Sequence, residues 1–204
     1  MLEAVNLSCA RGDHMLFRDL SFRVNAGELL HVAGRNGSGK TTLLRTLCGL
    51  TRAPEGYIKW NGVDVRALGD EYRAKLAYVG HLNGIQGELT ALENLRTAAA
   101  LANGTAGGRA TSALECVALE AYRDFPAKIL SQGQKRRLAL ARLLVLDRPL
   151  WILDEPLTAL DTASIEIVTE QLGSHLRRGG AAVITSHQTL DTLPSHSALN
   201  LDSR

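Results

Sequence analysis

The sequence predicts an α/β fold with a largely parallel core sheet, and three observations carry that reading. Short apolar runs that end in turn residues alternate with segments of helical apolar period. Two of the runs, Leu150–Leu153 and Ala181–Ile184, are apolar throughout, as strands buried on both faces of a parallel sheet are. A glycine-rich stretch over residues 34–41 joins an apolar run to a helix-period segment, so a strand, a loop and a helix follow one another there.

Taken in order, Leu2–Leu7 and Leu20–Val24 read as strands, Asn25-Ala26-Gly27 as a turn, and Leu29–Ala33 as the strand that feeds the glycine-rich loop. Thr41–Leu50 carries Leu43, Leu44, Leu47 and Leu50 at helical spacing. Tyr57–Trp60 and Val63–Val65 flank Asn61-Gly62, a pair suited to a type I′ turn, and read as a hairpin. Ala77–Val79 is a further short strand. Leu89–Leu146 reads as helical, broken at Asn103-Gly104 and Gly107-Gly108, and is expected to form a helical subdomain, over about 84–146, inserted into the sheet domain.

With 204 residues, 45% of them hydrophobic, the chain can bury one substantial core, and a single domain over 1–204 is expected. A net charge of +2 is too balanced for a nucleic-acid partner. The basic run Lys135-Arg136-Arg137 reads as the solvated face of a helix. No apolar run reaches the roughly 18 to 20 residues that span a bilayer. Met1-Leu2-Glu3-Ala4-Val5 lacks a basic region followed by an apolar block, so no secretory leader is expected. Cys9, Cys48 and Cys116 are odd in number and scattered, which reads as buried or free thiols in a reducing compartment. A cytoplasmic location follows as an expectation.

Gly34-Arg35-Asn36-Gly37-Ser38-Gly39-Lys40-Thr41 fits G-x-x-x-x-G-K-[ST]. Glycines let the backbone curl so that successive N–H groups face phosphate oxygens, and the helix N-terminus adds positive potential. Lys40 is of a length to reach the β- and γ-phosphates, Thr41 is set to ligate Mg²⁺, and Thr42 completes the candidate nucleotide-binding set. Leu150-Trp151-Ile152-Leu153 ends in Asp154-Glu155. Ligands of open parallel sheets sit at the carboxyl ends of the strands, so both acids are expected to face the phosphates. Asp154 is expected to hold the metal shell and Glu155 to act as general base toward water.

Between these motifs, Leu130-Ser131-Gln132-Gly133-Gln134 precedes a helix and resembles the signature of the ABC-ATPase family, LSGGQ, with Gln132 in place of the usual glycine. On its own the segment is an ordinary helix cap, and a serine with backbone N–H groups at a helix start also makes an anion site. Ala159-Leu160-Asp161 resembles that family's D-loop, and Thr185-Ser186-His187 its switch-histidine segment. The resemblance covers nearly the whole chain in the family's order. It implies a P-loop NTPase fold of ABC-ATPase type: a mixed sheet core, an antiparallel β subdomain and an inserted helical subdomain. It also implies ATP and Mg²⁺ as cofactors, His187 as a catalytic residue, and a second copy of the chain. Each ATP would lie between the phosphate loop of one subunit and Ser131, Gln132, Gly133 and Gln134 of the other, with Asp161 in the D-loop.

Two positions depart from the family pattern. Aligned through Phe17-Arg18-Asp19-Leu20-Ser21-Phe22, the adenine-stacking aromatic falls near Arg11; a guanidinium plane can stack on a base, and an exposed, unengaged arginine is the alternative. In Tyr78-Val79-Gly80-His81, His81 stands at the usual Q-loop glutamine, which gives it an implied catalytic role; a loop histidine bonded to backbone is the alternative. Within the family, Val79-Gly80-His81, Gly84-Ile85, Arg11-Gly12-Asp13 and Trp151–Pro156 resemble the branch that serves cytochrome c maturation. That resemblance implies integral permease subunits of a heme exporter as partners and a peripheral position on the cytoplasmic face of a bacterial inner membrane. An ABC-transporter ATPase for another cargo remains open, since none of these residues bears on cargo.

Overall fold

A computed structural model describes residues 1–12, 14–103, 109–186 and 196–202 of the chain. Two long strands, β1 (Leu2–Arg11) and β2 (His14–Val24), precede β3 (Leu29–Ala33), helix α1 (Lys40–Leu47) and the hairpin β4 (Glu55–Trp60) and β5 (Val63–Asp64). Two short helices, α2 (Val65–Leu68) and α3 (Asp70–Arg73), lead into β6 (Leu76–Val79). Then come α4 (Ala91–Asn103), α5 (Arg109–Cys116), α6 (Gln132–Leu146), β7 (Leu150–Asp154), α7 (Thr162–Arg177), β8 (Ala181–Thr185) and β9 (His196–Asn200). The strands form an antiparallel sheet in the order β2-β1-β4-β5 and a second sheet in the order β6-β7-β8-β3-β9 whose pairs are all parallel. The mixed-sheet α/β class read from the sequence is the observed one.

Side-chain alternation along the parallel strands sets the layers. Leu150 and Ile152 of β7, Ala181 and Val183 of β8, and Leu30 and Val32 of β3 pack with Leu43, Leu44 and Leu47 of α1 and with the apolar face of the antiparallel sheet. The intervening residues Trp151, Leu153, Ala182, Ile184 and Leu29 pack on the other side against α6 and α7. Helix α6 belongs to two cores at once. Its Ala139, Leu140 and Leu143 join that second layer, while Leu138, Ala141 and Val145 join a third cluster with Leu92, Leu95 and Leu114 of α4 and α5.

Several local readings hold, and several shift. Asn61 and Gly62 both take positive φ, 50° and 86°, as a type I′ turn requires. The second strand of that hairpin stops at Asp64, because the Asp64 carboxylate accepts the Arg66 N–H and caps α2 instead. Helix α1 starts at Lys40 and ends at Leu47, short of Leu50, with Gly49 in the left-handed region just beyond it. Of the break expected at Asn103-Gly104 and Gly107-Gly108, Asn103 is the last residue of α4, and the three glycines lie outside the described residues. Residues 117–131 are not α-helical as expected but carry two 3-10 turns, Glu120–Tyr122 and Ala127–Ile129. Pro126 has no N–H to continue a helix, and Ala127 and Lys128 donate instead to Leu89 O and Gly87 O at 2.8 and 2.9 Å. Elements α7 and β9 lie beyond those read from the sequence.

The basic run 135–137 corrects a further expectation. Arg136 is 4% exposed, buried in the protein, and Arg137 donates to Val117 O at 2.8 Å. The three cysteines are free, with Cys9 and Cys48 buried and Cys116 exposed. No helix among the described residues is long and apolar enough to cross a membrane.

A buried histidine ties α7 to the sheet. The His175 ring stacks on Trp151 at 3.9 Å and 7°, and its Nε2 lies 3.2 Å from Ala181 O, so Nε2 carries the proton and donates. A Cβ at Gly180 would strike that ring, so only glycine fits there. Burial pushes the His175 pKa down to about 4, against the partial opposition of its bond to Ala181. The folded pKa lies below the unfolded one, so the unfolded chain takes up the proton first. This part of the stability is therefore complete above about pH 6.5 and is lost as pH falls toward 4. Urea unfolding at pH 7, 6 and 5 is expected to show wild type losing about 2 kcal/mol more across that range than His175→Phe. Parallel pH profiles for the two proteins would contradict this.

Candidate functional site

Five parallel strands deliver their carboxyl ends to one place, the position at which open α/β sheets bind ligands. β3 runs into the glycine-rich loop, β7 ends in Asp154, β8 ends in Thr185, β6 leads to Gly80 and His81, and β9 leads to Asp202. In the loop, Gly37 and Gly39 take φ of 86° and 99°, which L side chains rarely adopt, and a Cβ at Gly39 would come within 3.1 Å of Leu16. The chain can therefore curl tightly and enter α1 immediately afterwards.

Asp154 is 2% exposed, and each of its oxygens is held. Thr41 Oγ1 donates to Oδ2 and Thr185 Oγ1 to Oδ1, both at 2.8 Å. The Glu155 N–H donates to Thr185 O at 3.2 Å and to Thr185 Oγ1 at 2.9 Å, so one threonine orients both acids. Glu155 itself has φ of 49°. Lys40, 9% exposed, donates to Gly34 O at 2.6 Å and Arg35 O at 3.1 Å. The Arg35 N–H donates to both oxygens of Asp202, at 2.9 and 3.0 Å, which fastens the rear of the loop to the segment after β9. Beneath the site, burial and then the charge of Asp154 push the Cys48 thiol up to about 12, so it stays neutral and inert.

A cavity of about 570 Å³ opens over these groups, within the range of small-ligand pockets. Of the residues read from the sequence, Arg11, Arg35, Asn36, Gly37, Gly39, Lys40, Thr41, Thr42, His81, Asp154 and Glu155 line it. Gly34 and Ser38 lie behind the lining, and Ser38 Oγ is buried with no hydrogen-bond partner among the described residues. Ser131, Gln132, Gly133, Gln134 and Asp161 are not on the cavity wall. Ser131 caps α6 through a capping box: the Gln134 N–H donates to Ser131 Oγ at 3.2 Å, and the Ser131 N–H donates to Gln134 Oε1 at 2.8 Å. Asp161 caps α7, accepting the Ser164 N–H at 2.9 Å, and hydrogen bonding from the Ser164 side chain and then from that N–H holds its carboxyl below the ordinary value. A Cβ on Gly133 would stand 3.1 Å from Ala159 O, so the signature and D-loop segments abut. His187 lies outside the described residues.

Reading the sequence alone missed His14, Leu16 and Thr158 on the cavity wall, Thr185 on the acid pair and Asp202 on the loop. His14 and Leu16 alternate along β2 beside Arg11, a period-2 signal that was available. Asp202 stands 167 residues from Arg35 and had none.

The donor set suits Mg²⁺ shared with a phosphate. Thr41 Oγ1 and the Asp154 carboxylate are adjacent hard oxygens, while among the described residues no group of three or more His, Cys, Asp or Glu could hold a metal by itself. Mg²⁺ is commonly held in that way, by one or two protein oxygens, substrate phosphate and water. The orphaned Ser38 Oγ in the loop is a further polar group suited to an anionic ligand.

Fold and site together define a P-loop nucleotide-binding ATPase. More particularly, the chain belongs to the ABC transporter family, whose sequence profile matches residues 17–158. It is similar to cytochrome c biogenesis ATP-binding export proteins: 54% identical to that of Nitrosomonas europaea, over 93% of this chain and 90% of the relative. The corresponding protein of Dechloromonas aromatica is 52% identical over 94% of each. Among solved structures, the ATP-binding subunit of an ABC transporter superposes with a TM-score of 0.86 at 27% identity, covering 98% of this chain and 86% of that one. A dimeric ATP-binding cassette in a post-hydrolysis state with ADP and Pi superposes with a TM-score of 0.82 at 26% identity, covering 92% and 88%.

Lys40→Ala is expected to weaken ATP binding by about tenfold to a hundredfold, the range for losing a charged hydrogen bond to phosphate. Calorimetric titration with ATP measures it, and unchanged affinity in the folded variant would rule out the loop as the binding site.

Proposed function

We propose that this chain is the energy-coupling ATPase of an ABC exporter of cytochrome c biogenesis. In this reading two copies work with integral permease subunits on the cytoplasmic face of a bacterial inner membrane, and heme is the exported species. The observation that carries the ATPase reading is the cavity in which the glycine-rich loop, Lys40, Thr41, Asp154 and Glu155 converge. Relatives named for cytochrome c biogenesis and export, 54% and 52% identical over nearly the whole chain, support the pathway. Heme as cargo rests on the resemblance of the chain to that branch as a whole, and no residue of the site selects it. One cassette spans 1–204 with its helical part over about 84–146, and the apolar cluster of α4, α5 and α6, drawn wholly from that span, supports the division.

The residues divide the work by chemistry. Backbone N–H groups of residues 37–42 bind the phosphates, and Lys40 exchanges its two carbonyl partners for phosphate oxygens. Thr41 and Asp154 hold Mg²⁺, which when bound neutralises phosphate charge and polarises the terminal phosphoryl group. Glu155 orients water and takes its proton, and His81, which also lines the cavity, is assigned a catalytic role with His187 on the family resemblance. Arg11, which lines the cavity with His14 and Leu16, offers a guanidinium for stacking on the base. Ser131, Gln132, Gly133 and Gln134 sit off this chain's own cavity and present a capped helix N-terminus outward, which supports a second site half completed by the other copy. The dimeric cassette among the structural relatives supports the same arrangement.

Glu155→Gln is expected to keep ATP affinity while turnover falls by about two to four orders of magnitude, since an amide is no base. Size-exclusion chromatography with Mg²⁺ and ATP should then reveal an accumulated dimer. Robust turnover by this variant would move the base elsewhere.

Ser131→Arg is expected to bind ATP but hydrolyse poorly. Mixed in equal amounts with Lys40→Ala, at an ATP concentration too low to load that variant's own sites, it should recover about a quarter of wild-type activity, because half the dimers then hold one complete site. No recovery in mixtures shown to contain heterodimer would argue against a shared site.

A further inference from the structure

The most unusual side chain outside the cavity is Arg136, five residues beyond the signature serine in α6. It is 4% exposed. Its Nε donates to Pro156 O at 3.1 Å, and its Nη2 donates to Asp154 O and Glu155 O, both at 2.8 Å. Its Nη1 donates to Gly80 O at 2.8 Å and to Asn83 Oδ1 at 3.1 Å. A guanidinium has five N–H donors, so the set is saturated. None of these acceptors is a carboxylate; the neighbouring charges of Asp154 and then Glu155 favour the cation, against the larger cost of its burial. Burying a cation that makes no hydrogen bond to an anion remains unfavourable. An apolar side chain would fill the same space without that cost, so packing alone does not account for an arginine here.

What the five bonds join gives the reason. Three consecutive carbonyls, of Asp154, Glu155 and Pro156, turn inward onto one planar group. Glu155 sits there with φ of 49°, a region that disfavours any residue with a Cβ and persists only where surroundings enforce it. Thr185 fixes the N–H side of Glu155, and Arg136 fixes its C=O side. The other two bonds reach across to Gly80 and Asn83, which bracket His81 and the 84% exposed Leu82. A displacement of that exposed loop takes two acceptors from the same rigid fork that holds the Glu155 turn.

We propose that Arg136 is a positioning residue: it sets the backbone of the Glu155 turn and makes that setting depend on where the 80–83 loop lies. The inference rests on reading Glu155 as the general base. A lysine at 136 keeps the charge, but its single ammonium cannot bridge both sets of acceptors.

The test compares the full-length wild-type chain with Arg136→Lys, Asn83→Ala and the double variant. Affinity for Mg²⁺ with the non-hydrolysable analogue AMP-PNP is measured by calorimetry, and kcat and KM by phosphate release. Arg136→Lys is expected to lose at least about tenfold in kcat, as buried charged hydrogen bonds are removed, with analogue affinity within about twofold of wild type. Asn83→Ala should lose about threefold in kcat, and nothing further when added to Arg136→Lys. Wild-type kcat in either single variant, analogue affinity falling in step with kcat, or fully multiplicative effects in the double variant would each overturn the proposal. Should Arg136→Lys fail to fold, Asn83→Ala decides alone by its kcat. Glu155→Gln serves as the control: turnover in that variant would overturn the reading of the base, whereas a dead Glu155→Gln beside a fully active Arg136→Lys overturns only the role of Arg136.

Discussion

A buried carboxylate has to be satisfied on both oxygens, and in this chain that requirement falls on Asp154. It is almost wholly removed from solvent, and the two hydroxyls that reach it come from Thr41 at the start of α1 and Thr185 at the end of β8. An unsatisfied charged group in a low-dielectric interior destabilises by more than most single contacts stabilise. Three separate parts of the chain are therefore held in register by one side chain: the glycine-rich loop and its helix, the acid-bearing strand, and strand β8. The rest of the site inherits its geometry from that register. Thr185 in turn directs the Glu155 N–H, so the two acids cannot be repositioned independently.

The sheet makes such convergence possible without strain elsewhere. Parallel strands place all their carboxyl ends on one edge, and here each of the five contributes there. The helices cover the two faces according to the alternation of side chains, and α1 lies between the sheets with Leu43, Leu44 and Leu47 buried on either side. That burial anchors the helix whose N-terminus faces the cavity. The anion-binding end is thus fixed by apolar packing several residues away.

Helix α6 connects this rigid part to the remainder. Its apolar residues divide between two cores, its first turn carries the signature, and its Arg136 reaches back under the acid pair. A helix buried on several sides moves as a unit, so whatever shifts the signature end also bears on the carbonyls of residues 154–156. The exposed loop at 80–83 bears on the same atoms through the same guanidinium. Those two inputs meet at the backbone of Asp154 and Glu155, while the Asp154 side chain, among the described residues, is held by Thr41 and Thr185.

Much of this was legible in the residues themselves. The glycine-rich loop, the acid pair and the buried strands were readable because each depends on local chemistry: glycines that permit positive φ, a turn leading directly into a helix, apolar alternation. The Asn61-Gly62 turn was readable for the same reason. What the sequence could not determine depends on chain-distant packing. A basic triplet looks like a solvated face, and only the approach of β7 and the 80–83 loop to α6 buries its middle member, with neutral carbonyls as partners. The span 117–131 looks helical until Ala127 and Lys128 find carbonyls near residue 88 across the loop. Asp202 gains its role only because β9 pairs with β3 in a register that sets its carboxylate beside the Arg35 amide. Local motifs specify which chemistry is available; long-range register decides which groups are held, by what, and so which of them act together.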